Sequence, residues 1–349
     1  MSVPDTTAPR KASRRPIYVA FGLATIFVIV LSAGWIWLRG QADARLDAAV
    51  QRLRDAGYEI AWKERSFRGY PFRLNIALTE ARIRDRSGWA LEAPVLEAQA
   101  FVHAPTSWLI AAPQGLTFVR PIGGPVRVEG KLIRASLTHL SNTPPNISFE
   151  GVDLKFQPAA GAQTFGLATA ERVEFHLRQA PSEVGDEAGV WLSVKSGKAQ
   201  LSGLLGRVAG DKPVSIEWDG RMTKISAFRG RDWPDAVRNW VRAGGTMRVQ
   251  RAGLTAGDAL LGANSGRLGV GSDGRLTGVM DVSLRQAPRA LGAIGAAGAI
   301  PQDRADAAAA VATARQTGDL ARVTLNFEAG QTTLGPVAIA PAPKVYDPR

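Results

Sequence analysis

Residues 72–79 read FRLNIALT: Phe72, Leu74, Ile76 and Leu78 fall on one side of an extended chain, Arg73, Asn75 and Thr79 on the other. Successive side chains of a strand point to opposite faces, so a period of two marks backbone with one dry and one wet side. The same period runs outward in both directions. Upstream, before the turn Gly69-Tyr70-Pro71, Tyr58, Ile60 and Trp62 alternate with Glu59, Ala61 and Lys63. Downstream, Val126 and Val128 alternate with Arg127 and Glu129, and Ile147 and Phe149 lead into Val152, Leu154 and Phe156. Val173, Phe175 and Leu177 alternate with Glu174, His176 and Arg178; Val190, Leu192 and Val194 follow, then Ile216 with Trp218 and Met247 with Val249. Leu276, Met280, Val282 and Leu284 share one face, as do Ala321, Val323, Leu325 and Phe327. Turn signals at Gly123-Gly124-Pro125, Asp219-Gly220, Asp273-Gly274 and Ala329-Gly330 separate many of these runs. One antiparallel arrangement with a dry and a wet face accounts for the whole series.

A period near 3.6 interrupts it three times. Leu46, Ala49, Val50 and Leu53 form one stripe on a short helix that Gly57 ends. Trp233, Val237, Trp240 and Val241 form another, with Asp232 as its cap, Pro234 in its first turn and Gly244-Gly245 after it. The third is the alanine-rich stretch from about Asp303 to Arg315, ending at Gly318. Helix, glycine, then alternating strand recurs at Leu53 to Trp62, Val241 to Val249 and Ala312 to Leu325, at spacings too irregular for a solenoid.

Residues 17–38 (IYVAFGLATIFVIVLSAGWIWL) carry no charge. At about 1.5 Å per residue they span roughly 33 Å, close to the thickness of a bilayer's hydrocarbon layer. Trp35 and Trp37 stand at the exit end, where aromatic rings favour the interface. The entry flank holds Arg10, Lys11, Arg14 and Arg15 against the single acid Asp5. The positive-inside tendency then leaves residues 1–16 as a basic cytoplasmic tail, makes 17–38 a transmembrane helix and exports residues 39–349. A cleaved signal peptide is the rival reading. Its apolar core is usually about 7–15 residues with a small-x-small cleavage site, whereas Trp35, Ile36, Trp37 and Leu38 follow the small residues here.

Formal net charge is +12. The basic residues are scattered among apolar ones instead of forming a block, as on solvated strand faces, and export argues against a nucleic-acid partner. With no cysteine in the chain, thiol catalysis, thiolate zinc sites and iron–sulfur clusters are excluded. Gly269-Val270-Gly271-Ser272-Asp273-Gly274 matches G-x-G-x-x-G, but Leu276-Thr277-Gly278-Val279-Met280 after it alternates as a strand where a dinucleotide site needs a helix. It reads as a hairpin turn. His103, His139 and His176 lack ligand spacing, and Ser193, Lys195, Ser196 and Lys198 read as a strand ending in a turn. No G-x-S-x-G elbow or P-loop is present. Trp62, Phe67, Tyr70 and Phe72 gather where the membrane-proximal helix meets the first strands. They form either an interfacial contact for lipid or a partner, or a cap on the dry side of the sheet.

Three stretches together resemble one bacterial family. They are Trp62-Lys63-Glu64-Arg65-Ser66-Phe67-Arg68-Gly69-Tyr70-Pro71-Phe72-Arg73-Leu74 behind the anchor, Gly274-Arg275-Leu276-Thr277-Gly278 with Asp281-Val282-Ser283-Leu284, and the closing Val323 to Gly330 hairpin with Leu334-Gly335-Pro336 and Pro341-Ala342-Pro343. They are similar to the "domain of unknown function 2125" proteins, with their G-[FY]-P-x-R turn and closing L-G-P…A-P. The chain departs at Ala329, where a charged turn residue is commoner, and in a longer alanine/glycine segment around residues 292–314. The resemblance implies a membrane-anchored envelope protein and carries over no catalytic residues.

The expected fold is therefore mainly β with a few short helices: long twisted antiparallel sheet behind an N-terminal transmembrane helix, with two halves meeting near residues 180–212. The expected protein is a single-pass component of the bacterial inner membrane with its C-terminal domain in the periplasm. It is expected to be non-enzymatic, binding or scaffolding lipid or another envelope component, with no cofactor, metal or catalytic residues singled out. The alternative is an envelope-polymer hydrolase whose acid/base site is assembled from distant residues.

Overall fold

The computed structural model describes residues 15–347, apart from 143, 182–184, 200–211, 258, 289–290 and 292–300. Most of the basic tail, much of the expected junction at 180–212 and part of the alanine/glycine segment thus lie outside the described residues.

The chain enters through a single helix, α1 (Arg15–Asp55). The expected short helix around Leu46 is not separate; it is the far end of α1. Residues 39–46 hold no proline, and Gly40 alone does not break a helix flanked by strong formers. From Tyr18 onward α1 is long and apolar enough to cross a membrane, with mean hydropathy 2.3 and only 6% of its most apolar window buried by the rest of the protein. A membrane anchor and a signal sequence both have this character.

Nineteen strands follow among the described residues. They are β1 (Glu59–Ala61), β2 (Glu64–Arg68), β3 (Arg73–Arg84), β4 (Ala90–Phe101), β5 (Ala104–Ala111), β6 (Leu116–Arg120), β7 (Gly124–Glu129), β8 (Leu132–Thr138) and β9 (Asn146–Pro158), then β10 (Leu167–Gln179), β11 (Glu187–Ala199) and β12 (Val214–Thr223). After helix α2 (Trp233–Arg242) come β13 (Met247–Ala256), β14 (Ala259–Val270) and β15 (Leu276–Arg285), and after helix α3 (Gln302–Ala314) come β16 (Gln316–Thr317), β17 (Leu320–Glu328), β18 (Gln331–Leu334) and β19 (Val337–Pro341). All belong to one sheet, and every pairing is antiparallel.

The order is close to the order of the sequence. β1 and β2 share one edge of β3, and β5 and β6 share the far edge of β4. β8 extends β5, β7 extends β6, and both meet β9. From β9 to β15 each strand pairs with the next, then β15 pairs with β17, β17 with β18 and β18 with β19. β16 is a two-residue partner of β17. Sequential antiparallel pairing needs only short connections, the cheapest way to build so wide a sheet.

Left-handed non-glycine residues interrupt three of the strands. The change of phase read between Phe149 and Val152 falls at Asp153, which has φ 52°; beyond it Leu154 and Phe156 join Ile133 and Val128 in one apolar cluster. Glu80 (φ 50°) and Ser196 (φ 49°) mark comparable sites in β3 and β11. At Ser196 the register also shifts, between Val194 and Gly197, the mark of a bulge.

α2 and α3 pack on the apolar side. The Asp232 carboxylate accepts from the Asp235 amide as the α2 cap, with Pro234 in the first turn as expected. Trp240 of α2 joins Leu177, Ala188, Met222 and Ile225. α3 sets Ala308 and Ala312 against Val282, Ala321, Val323 and Leu334. Alanine there lets the helix axis come close to the strands. The G-x-G-x-x-G stretch is the β14–β15 turn, closed by the Gly271 amide on Arg275 O (2.8 Å) and the Gly274 amide on Gly271 O (3.0 Å).

Candidate functional site

Residues directly opposite each other in neighbouring strands share a face, so register reveals what the dry side presents. Starting at Phe67 in β2, the partners are Ile76, Ala98, Ile110, Ala135 and Phe149. The row continues through Phe175, Leu192 and Trp218. It ends through Ala252, Ala263, Val282 and Val323. Every member is apolar. At about 4.8 Å between strands the twelve steps cover roughly 58 Å. A parallel row runs from Trp108 through Leu137, Ile147, Leu177 and Val190, then Gly220, Val249, Gly266, Met280, Leu325 and Leu334. It too holds no polar side chain.

Cover along the first row is uneven. From Ala252 to Val323 its members are buried, beneath α3, whereas Ala98, Ile110, Ala135, Phe149, Phe175, Leu192 and Trp218 are only half-buried. The row is thus closed at its C-terminal end and partly open along its middle.

The wet face has the opposite chemistry. Glu150 takes Arg134 (2.6 Å) and Arg172 (3.3 Å), and Arg172 also meets Glu174 (3.5 Å). His176 stacks on its cross-strand partner Trp191, ring centroids 5.2 Å apart.

The N-terminal end of the row is joined to α1. Ser32, Trp35, Arg39, Asp43 and Asp47 recur every three or four residues, which sets them on one stripe of the helix. The Ser32 hydroxyl lies 2.7 Å from the Tyr70 hydroxyl, and Trp35 Nε1 donates to Arg73 O at 3.0 Å. The Trp35 and Tyr70 rings meet edge to face at 5.6 Å. Arg39 lies over the Phe67 ring. Arg65 reaches Asp43 (2.9 Å) and Asp47 (2.6 Å) while facing the Trp62 and Phe67 rings. The hydrogen bond from Arg65 holds the Asp47 carboxyl below its ordinary range, and Asp47 in turn raises Arg65.

Of the four aromatics singled out in the sequence, Trp62 and Phe67 therefore meet around one guanidinium, and Tyr70 joins the helix. Phe72 does not share the burial of Leu74 and Ile76. It precedes β3 in the turn after the cis Tyr70–Pro71 bond and is 67% exposed, while Leu74 and Ile76 are buried. Its carbonyl accepts from the Val102 amide (3.2 Å), which brings in a second hairpin tip, β4–β5. There Phe101 stacks on His103 and takes the Arg73 guanidinium over its ring. Tyr70, Phe72 and Phe101 all remain substantially exposed. Phe101 and the α1 contacts were not legible in the sequence, since a lone phenylalanine before a turn carries no pattern.

Ser32 lies six residues before Leu38, about 9 Å along the helix axis. The β2–β3 tip thus stands beside the last turns of the apolar stretch, with the β4–β5 tip next to it. The other candidates stay apart: His139 contacts Asn146 and Thr138, and among the described residues no three His, Asp or Glu side chains gather as a metal-holding group. The carboxylates with displaced pKa values, Asp47, Asp235 and Asp347, are each lowered by a bonded cation, opposite to the shift a general acid needs.

A family model described as "Uncharacterized protein conserved in bacteria (DUF2125)" matches residues 35–343. No curated protein and no solved structure matches the chain.

Proposed function

The chain belongs to the DUF2125 family of bacterial proteins, and we propose that it is a non-enzymatic envelope protein that holds lipid acyl chains along the dry face of its sheet. In this reading residues 17–38 cross the inner membrane, residues 1–16 stay in the cytoplasm and residues 39–349 lie in the periplasm, folded as two halves meeting near 180–212. The observation that carries it is the apolar row from Phe67 to Val323. A sheet that only needed a core would bury this row throughout; here its middle is half-open, and one end stands at the lipid-facing helix.

Trp62, Phe67, Tyr70 and Phe72 then act as the interfacial contact. Aromatic rings with nearby arginines suit the headgroup level, where one end of the side chain is dry and the other wet. Acyl chains entering there meet Ile76 and Ala98 next, with no polar step to cross. The hydrolase reading has less behind it, because the displaced carboxylates are held ionised.

The test is lipid retention. Full-length protein in neutral detergent is washed extensively and its bound phospholipid counted per chain. Wild type should keep more than a Phe175→Asp/Leu192→Asp variant whose thermal unfolding still shows a folded sheet. Equal counts in the two folded proteins would remove the proposal.

A further inference from the structure

The wet face carries a second cross-strand row, and its chemistry differs from everything around it. Arg221 of β12 is directly opposite Arg248 of β13, which is directly opposite Arg267 of β14. On the other side Arg221 pairs with Gly189, and Gly189 with Arg178. Like charges directly opposite each other destabilise a sheet, and here two such pairs are consecutive. Elsewhere on this face opposite charges meet: Glu150 and Glu174 are directly opposite each other, but Arg134 and Arg172 pair with them.

Among the described residues one acid, two residues from Gly189 on the same strand, is ion-paired to the row. Glu187 bonds Arg248 and lies 3.9 Å from Arg221. Asp281, beside Arg267, is occupied by the hydroxyls of Ser265 (3.0 Å) and Thr324 (2.9 Å). Among the described residues Arg267 has no ion-pair partner, so three guanidinium groups share one ion-paired carboxylate.

The backbone opens space at the same place. Gln250 and Asn264 are each skipped by the register, between Asp219/Gly220 and Ala263/Ser265. Both line a depression of about 600 Å³ together with Arg221, Arg248, Gly266 and Arg267. Bulges re-aim side chains. Rigid guanidinium forks match the tetrahedral oxygens of a phosphate better than any other side chain does.

We propose that Arg221, Arg248 and Arg267 form a binding site for a phosphate-bearing anion, on the side of the sheet away from the apolar row. The chemistry is shared by a soluble phosphoanion and the headgroup of an anionic lipid. Calorimetric titration of the full chain in neutral detergent separates them, with inorganic pyrophosphate in one arm and water-soluble dihexanoyl phosphatidylglycerol in the other. Dihexanoyl phosphatidylcholine is the control ligand. Binding of both probes assigns the site to the phosphate itself; binding of one alone names the source. Arg267→Gln, which breaks no ion pair, should weaken binding roughly tenfold, and adding Arg221→Gln should weaken it further. Arg251→Gln, whose arginine pairs with Glu217 outside the row, should leave it unchanged. No binding of either probe, phosphatidylcholine binding as well as phosphatidylglycerol, or equal affinity in the Arg267→Gln/Arg221→Gln variant would each overturn the site. None of these results depends on acyl chains in the apolar row, whose own test uses Phe175 and Leu192.

Discussion

Trp240→Ala is expected to destabilise the protein by about 3–5 kcal/mol, the range for removing a buried tryptophan, which at this chain length lowers the melting temperature by of order 10 °C. Trp240 is 4% exposed and fills the space between α2 and the strands bearing Leu177, Ala188 and Met222. Its Nε1 donates to Thr223 O at 2.6 Å. The fit is close: a Cβ on Gly245 would lie 2.2 Å from that same nitrogen. Trp240→Phe separates the two contributions, because it keeps most of the ring but leaves the Thr223 carbonyl without its partner, at a cost of about 1–3 kcal/mol. Calorimetric melting of the three proteins should rank them wild type, Phe, Ala. If the alanine variant melted with the wild type, α2 would not be clamping this end of the sheet.

Gly278→Ala should do comparable damage without removing a single contact. Gly278 has φ 114°, a region strongly disfavoured for any residue with a side chain. Its new Cβ would sit 2.1 Å from the Arg267 carbonyl oxygen on the adjacent strand. Neither problem can be relieved by turning a side chain, so β14 and β15 must separate. A loss of about 3 kcal/mol or more is expected from strain and broken ladder bonds together. Gly262→Ala is the control: it lies in β14, with its nearest atom 4.0 Å away, and should melt within a degree or two of wild type. Similar melting of the Gly278 and Gly262 variants would mean that β14 and β15 are not paired in this register.

These two positions show what the sequence made legible and what it hid. The alternation around Leu74, Phe175, Leu192 and Val323 identified the strands and their dry faces, because burial on one side imposes a period of two whatever the fold. Asp232, Pro234 and the Gly271–Gly274 turn were readable for the same local reason. Phe72 is exposed because it stands in the turn ahead of β3, before the strand's first buried residue. Asp153, Glu80 and Ser196 adopt left-handed backbone without being glycine, so nothing in their neighbourhood announced it. Register was hidden altogether. Which arginine faces which, and that thirteen apolar residues line up from Phe67 to Val323, depend on pairings between segments far apart in the chain. The contact of Ser32 and Trp35 with the Tyr70 turn is likewise long-range, and no periodicity encodes it.

The most direct measurement is a photo-crosslinking walk in living cells labelled with radioactive phosphate. A photoreactive phenylalanine analogue is placed singly at Phe72 and Phe101 on the hairpin tips, at Ile110, Phe149, Phe175 and Leu192 along the row, and at His176 and Trp191 on the opposite face. Lipid adducts are expected at the tips and at every position of the row, and not at His176 or Trp191. Adducts confined to the tips, or equal on both faces of the sheet, would contradict an acyl-chain path along the dry side.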